Sequence, residues 1–180
     1  MLVELAVIGV VLVGATALYN GLVKLREQVD AAWADIDVQL KRRYDLIPNI
    51  VETVKAYAGH EKETLEAVVQ ARSRAMGAAG PAEKAQAEGM LTGALKSLFA
   101  LSEAYPDLRA AEGFRDLQKT LAELEDVIAN ARRYYNAVVR DYNTKIQSVP
   151  QNLVAKSFGF KEREFFEIGE GERAAPKVDF

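Results

Sequence analysis

Residues Met1 to Val23 form an apolar run in which Glu4 is the only charged side chain, and neither Gly nor Pro appears from Leu22 to Ile47. A hydrocarbon core about 30 Å thick needs about 20 apolar residues at 1.5 Å each, so the run is long enough to span a membrane as a helix that grows directly into a soluble one. Gly9 and Gly14 do not oppose this, because glycine is commoner in membrane helices than in soluble ones. A cleaved signal peptide is the competing reading, and Ala15-Thr16-Ala17 has the small-x-small form of a cleavage site. The basic n-region of such a signal is missing, however, and the first basic residues, Lys24 and Arg26, follow the apolar run. That pattern favours a retained single-pass anchor. The positive-inside rule then puts the body in the cytoplasm, with an extracytoplasmic body as the alternative because Glu27 offsets part of the charge.

With 23 of the 180 residues assigned to the anchor, about 157 remain, enough for one domain with a real core. The absence of Cys excludes disulfides, thiolate nucleophiles and cysteine-ligated zinc. Net charge is −3 with both signs interspersed, so no face announces nucleic acid. Lys41-Arg42-Arg43 is the one basic cluster, and with Asp35, Asp37 and Asp45 around it a solvated helix face is favoured over a lipid or polyanion site.

Past the anchor, Leu25, Val29, Ala32, Trp33, Ile36 and Leu40 keep the three-and-four spacing of an amphipathic helix. Asp45 can cap a new helix with Pro48 in its first turn, which predicts a bend at Tyr44 to Ile47. The second helix then runs through Ile47, Ile50, Val51, Val54 and Tyr57, kinks near Gly59 and ends near Gly77. Pro81 opens a third helix carrying Met90, Leu91, Leu95, Leu98 and Leu101, which Pro106 stops. A fourth runs from Asp107 to Gln147, with a coiled-coil-like seam of Phe114, Leu117, Leu121, Leu124, Ile128, Ala131, Tyr135, Val138, Tyr142 and Ile146. Pro150 ends the helical pattern. The expected fold is all-α: a transmembrane helix at 1–23, continuing into an antiparallel up-and-down four-helix bundle over 24–148, then an irregular aromatic tail at 149–180. The tail is expected to pack on the bundle, a neighbouring subunit or the membrane surface.

Three stretches resemble the LemA family of bacterial membrane-anchored proteins. The first is Tyr19-Asn20 with Trp33-Ala34-Asp35-Ile36-Asp37-Val38-Gln39-Leu40-Lys41-Arg42-Arg43 and Asp45-Leu46-Ile47-Pro48-Asn49. The second is Ala131-Arg132-Arg133-Tyr134-Tyr135-Asn136 with Tyr142-Asn143, and the third is Gly159-Phe160 with Phe165-Phe166-Glu167 and Ala175-Pro176-Lys177-Val178-Asp179-Phe180. The resemblance implies a helical-bundle domain on one N-terminal membrane helix and supplies no reaction. Some members are encoded near membrane-protease genes and magnetosome-associated relatives help build membrane compartments, which by analogy favours a membrane scaffold over an enzyme.

Catalytic chemistry finds little footing. His60-Glu61 begins the zinc-protease pattern His-Glu-x-x-His, but position 64 is Thr and no second His exists. Asp35, Asp37, Asp45 and Glu52 could ligate a hard cation through oxygen, yet Asp35 and Asp37 are two apart on a helix and do not share a face. We therefore expect a non-enzymatic protein with no catalytic, cofactor-binding or metal-binding residues and no cofactor. The residues expected to make interactions are Trp33, Tyr135, Asn136, Tyr142, Asn143, Phe158, Phe160, Phe165 and Phe166. Asn136 and Asn143 flank seam tyrosines one heptad apart, either fixing register or standing wet beside the seam. If the helices alternate direction, the fourth returns to the bilayer and brings Tyr142-Asn143 towards the level of Tyr19-Asn20. A homo-oligomeric scaffold touching lipid and membrane proteins is the expected function, with a regulatory adaptor of a membrane protease as the alternative and a carboxylate-metal hydrolase behind both. Nucleic acid is not an expected partner.

Overall fold

A computed structural model describes residues 1–167 of the chain, which are helical over most of their length with no strand among them. Six helices follow in order: α1 (Leu2–Ala58), α2 (Lys62–Gly77), α3 (Gly80–Ser102), α4 (Pro106–Ala110), α5 (Glu112–Gln147) and α6 (Gln151–Ser157). The N-terminal part of α1 is long and apolar enough to cross a membrane, and no residue of its most apolar 18-residue window is buried. The described residues divide into two compact units, residues 1–36 with 131–165, and residues 37–130 with 166–167.

The expected start of a new helix at Asp45 is absent: α1 continues as one helix of 57 residues with Pro48 inside it. The reason lies in the second unit. Leu40, Arg43, Tyr44, Ile47, Ile50, Val54 and Ala58 are all buried, so the core-facing stripe passes the proline without a change of phase. Proline removes the N–H that the carbonyl four residues back would accept, here that of Tyr44. Arg72 on α2 takes its place, its Nε donating to the Tyr44 carbonyl oxygen at 2.8 Å. With the orphaned acceptor satisfied and the apolar stripe intact, continuing the helix is cheaper than breaking it.

The break falls at Gly59 instead of being a kink. A Cβ there would stand 2.9 Å from the Lys55 carbonyl oxygen, so the close turn out of α1 requires glycine. Leu65, Val68, Ala71 and Ala75 form the buried face of α2, which packs against α3. Gly80 has φ 76° and Pro81 stands in the first turn of α3, as the sequence predicts. Leu108 of α4 and Phe114, Leu121, Leu124 and Ile128 of α5 complete this unit's core.

In the first unit α1 buries Leu22, Val29, Ala32 and Ile36, and α5 buries Tyr135, Val139, Tyr142, Asn143 and Ile146. The seam therefore uses Val139 where the sequence reading has Val138. Helical structure also resumes after Pro150 as α6, whose Val154 and Ala155 are buried.

Candidate interaction sites

The first unit is organised by a strap. After α6, Gly159 adopts φ 70° and the Phe160 N–H bonds the Ala155 carbonyl at 3.0 Å, a Schellman-type stop that only glycine accommodates without strain. The turn puts two aromatic rings on one target. Phe158 lies 4.8 Å and Phe160 5.7 Å, centroid to centroid, from Tyr19 of α1, and the Arg26 guanidinium sits 5.5 Å over the Phe160 ring.

From Lys161 to Glu164 the chain is neither helix nor strand and hydrogen-bonds to side chains along the C-terminal part of α5. The Tyr142 hydroxyl donates to the Lys161 carbonyl at 3.0 Å, and the Tyr135 hydroxyl to the Glu164 carbonyl at 2.8 Å. Between them, the Asn143 amide donates to the Arg163 carbonyl and accepts from the Arg163 N–H, both at 2.9 Å, reproducing the two-bond pairing of a strand partner. Gln147 donates to Glu162 at 2.7 Å, and the Arg163 guanidinium reaches Asp30 of α1 at 2.8 Å. Asn143 is thus a buried clamp on the strap and not a wet residue beside the seam. Burial pushes the Tyr135 phenol up to about 12, with Arg163 opposing and Glu164 and Asp30 reinforcing the shift. The Tyr142 phenol is likewise raised by burial, against Arg163 and Arg26. Both hydroxyls are therefore protonated donors at neutral pH.

Of the other residues predicted to interact, half-buried Trp33 stacks on Tyr135 with centroids 5.4 Å apart, and Asn136 and Phe165 are half-buried in the same unit. Phe158 stays 64% exposed even with its ring on Tyr19. Phe166 is buried but belongs to the second unit. The terminal motif Ala175 to Phe180 lies outside the described residues. The level of Tyr19 is held by Phe158 and Phe160, while Tyr142 stands among Arg26, Asp30 and Arg163.

The second unit contains a charged cluster that the sequence reading missed. Arg43, read as part of a solvated face, is only 2% exposed, because position 43 lies on the buried stripe of α1 between Leu40 and Ile47. Its Nη1 stands 3.2 Å from Glu88 Oε2 and donates to Glu125 Oε2 at 3.3 Å, and its Nη2 donates to Thr92 Oγ1 at 2.8 Å. The Tyr44 hydroxyl donates to Glu88 Oε1 and contacts the Ala75 carbonyl at 3.2 Å. Burial raises the Tyr44 phenol far above the usual range, the Glu88 hydrogen bond and charge add to this, and Arg43 opposes it. Arg43 thus pairs with Glu88 and Glu125 and bonds Thr92, and Tyr44 reaches Glu88 and the Ala75 carbonyl, so the cluster ties α1 to α2, α3 and α5.

The carboxylates weighed as metal ligands do not converge. Asp35, Asp37, Asp45 and Glu52 are all exposed, and Asp37 pairs with Lys84 at 3.3 Å. Among the described residues no three His, Cys, Asp or Glu side chains are placed to hold a metal ion. Glu61, beside His60, accepts from the Tyr105 hydroxyl at 3.0 Å.

The sequence signature described as the LemA family matches residues 32–180. Magnetosome protein MamQ 2 of Paramagnetospirillum magneticum is 28% identical over 92% of this chain and 71% of its own length. Magnetosome protein MamQ of Magnetospirillum gryphiswaldense is 28% identical over 82% of this chain and 64% of its own. Protein LemA of Metamycoplasma hominis is 27% identical over 86% and 71%.

Proposed function

The chain belongs to the LemA family, and from that membership and the two units above we propose that it is a membrane-anchored, non-enzymatic helical scaffold. Its copies associate laterally and organise the bacterial cell membrane or proteins within it. The observation that carries the reading is that the apolar N-terminal part of α1 and the helix bearing Trp33 and Arg43 are one element. Anything attached to such an anchor shares one plane and one orientation with every other copy, so weak side-by-side contacts suffice for assembly. Contacts that close produce cyclic rings. The body faces the cytoplasm by the rule applied to Lys24 and Arg26.

The division into anchor (1–23), bundle (24–148) and tail (149–180) belongs to this reading, as does an antiparallel four-helix arrangement with α4 and α6 as short additions. Support comes from the order of contacts in the first unit, where Trp33 meets Tyr135 and Tyr19 meets Phe158 further along the chain. The magnetosome naming of the MamQ relatives supports a role in membrane organisation. Mass photometry of the full chain, extracted with its native lipid, tests the oligomer: the reading predicts particles of several chains, and single-chain particles at every concentration would end it.

One observation favours the alternative of an adaptor for a membrane protease or other membrane complex. In the second unit a surface groove of about 530 Å³ runs between the end of α1 and α2, lined by Val51, Lys55, Leu65 and Val69, and could seat a partner segment. Pull-down from native membranes with and without Val69→Asp would recover a near-stoichiometric partner lost on substitution.

A further inference from the structure

The apolar surface of the first unit does not stop at α1. Val149, Leu153 and Phe158 are 78%, 65% and 64% exposed, Leu153 within the short helix α6 and the other two on either side of it. Their depth can be read from α1. The uncharged stretch between Glu4 and Lys24, residues 5–23, is about 28 Å long at 1.5 Å per residue, close to a hydrocarbon thickness of ~30 Å. Lys24 then marks the headgroup level. Tyr19 lies five residues before it, about 7 Å towards the bilayer centre, and Phe158 rests on the Tyr19 ring.

Charge points the same way. From Tyr142 to Lys161 the chain carries Lys145, Lys156 and Lys161 and no acidic residue, and all three lysines are exposed. Apolar side chains bounded by lysines, at a depth of about 5–10 Å below the headgroups, are what an interfacial helix presents to an anionic lipid surface.

We propose that α6 and its flanks are a second membrane-contact element, with Val149, Leu153 and Phe158 seated in the acyl boundary of the leaflet nearest the body and Lys145, Lys156 and Lys161 among its headgroups. This rests on the reading of α1 as a membrane span. Tyr19 couples the two elements, and the Gly159 turn fixes the angle between α6 and the strap.

The chain has no native Cys, so single-cysteine variants can carry an environment-sensitive fluorophore without further changes. The full chain is reconstituted in phosphatidylethanolamine–phosphatidylglycerol vesicles with labels at Leu153→Cys, at Val10→Cys as a span control, and at Met76→Cys as an aqueous control. The proposal predicts quenching of the Leu153 label by nitroxide lipids labelled near the headgroup, iodide quenching several-fold weaker than at Met76, and Val10 quenched by deep nitroxides. Leu153 open to iodide with Val10 still lipid-quenched would overturn the proposal and leave the span. Iodide access at both positions would overturn the span reading and the proposal with it. Leu153 shielded from both quenchers would mean a protein cover, such as a second copy, and would equally overturn the lipid assignment. Since labelling replaces Leu153 itself, a label at Ser157→Cys repeats the measurement with Leu153 intact, and adding Leu153→Glu should raise its iodide quenching several-fold.

Discussion

Pro48 and Arg72 form a pair whose energies should be strongly coupled. The Tyr44 carbonyl has lost its helical donor to Pro48 and is held by Arg72 Nε at 2.8 Å, in a residue only 5% exposed, so water is a poor substitute. Replacing Arg72 by Met removes a charge-assisted bond worth about 1.5–3 kcal/mol and leaves a buried acceptor unpaired, so the expected loss is about 2 kcal/mol. Replacing Pro48 by Ala restores an N–H to the same carbonyl. On that background Arg72→Met should cost only about 0.5–1 kcal/mol, the net value of one ordinary hydrogen bond. The cycle therefore predicts a coupling of about 1 kcal/mol or more, measured from urea unfolding of the four full-length proteins in detergent by far-UV circular dichroism. Effects of Pro48→Ala on the unfolded chain are common to the two proteins that carry it and cancel. Additivity to within about 0.4 kcal/mol, the behaviour of independent sites, would refute the claim that Arg72 replaces the missing helical donor.

Glu88→Ala should destabilise the second unit by about 3 kcal/mol, the lower end for breaking a buried ion pair because Glu125 still neutralises Arg43, whereas the double replacement Arg43→Met with Glu88→Leu should cost less than Glu88→Ala alone. Both are checked by the same denaturation assay. Stability should also fall in alkali: the Tyr135 phenol is raised to about 12 in the folded chain, so its contribution, complete below the unfolded value of about 10, is lost as pH rises through about 12. Thermal melts between those limits should show the loss, and Tyr135→Phe should reduce the slope. Asn143→Ala removes both bonds to Arg163, which should cost about 1–3 kcal/mol and speed hydrogen exchange at the Arg163 amide without changing exchange at Ile50.

The all-helical fold, the apolar first helix, Pro81 at the start of α3 and the seam tyrosines were legible because each is a local, periodic signal. Pro48 misled because its usual effect is also local, while its rescue comes from Arg72 on the next helix. Arg43 and Glu88 were legible in principle. Both fall in register with buried neighbours, Leu40 and Ile47 for one and Ala85 and Leu91 for the other, but Arg43 is read there by its charge and not by its phase. The site was half visible: Tyr135, Tyr142 and Asn143 stand out on their heptad, yet what they hold is backbone at 161–164, and backbone carbonyls leave no mark in a sequence. The Arg163–Asp30 pair, 133 residues apart, carries no local signal at all. Val139 in place of Val138 reflects the drift between the 3.5-residue seam and a 3.6-residue helix.

Electron cryo-microscopy of liposomes carrying the full-length chain bears most directly on the central claim, that the anchor makes lateral assembly the protein's work. The account predicts helical bodies on one face of the bilayer, gathered into clusters or rings with an altered membrane contour beneath them. Bodies dispersed singly over an unperturbed bilayer, at protein densities where random encounters are frequent, would contradict it.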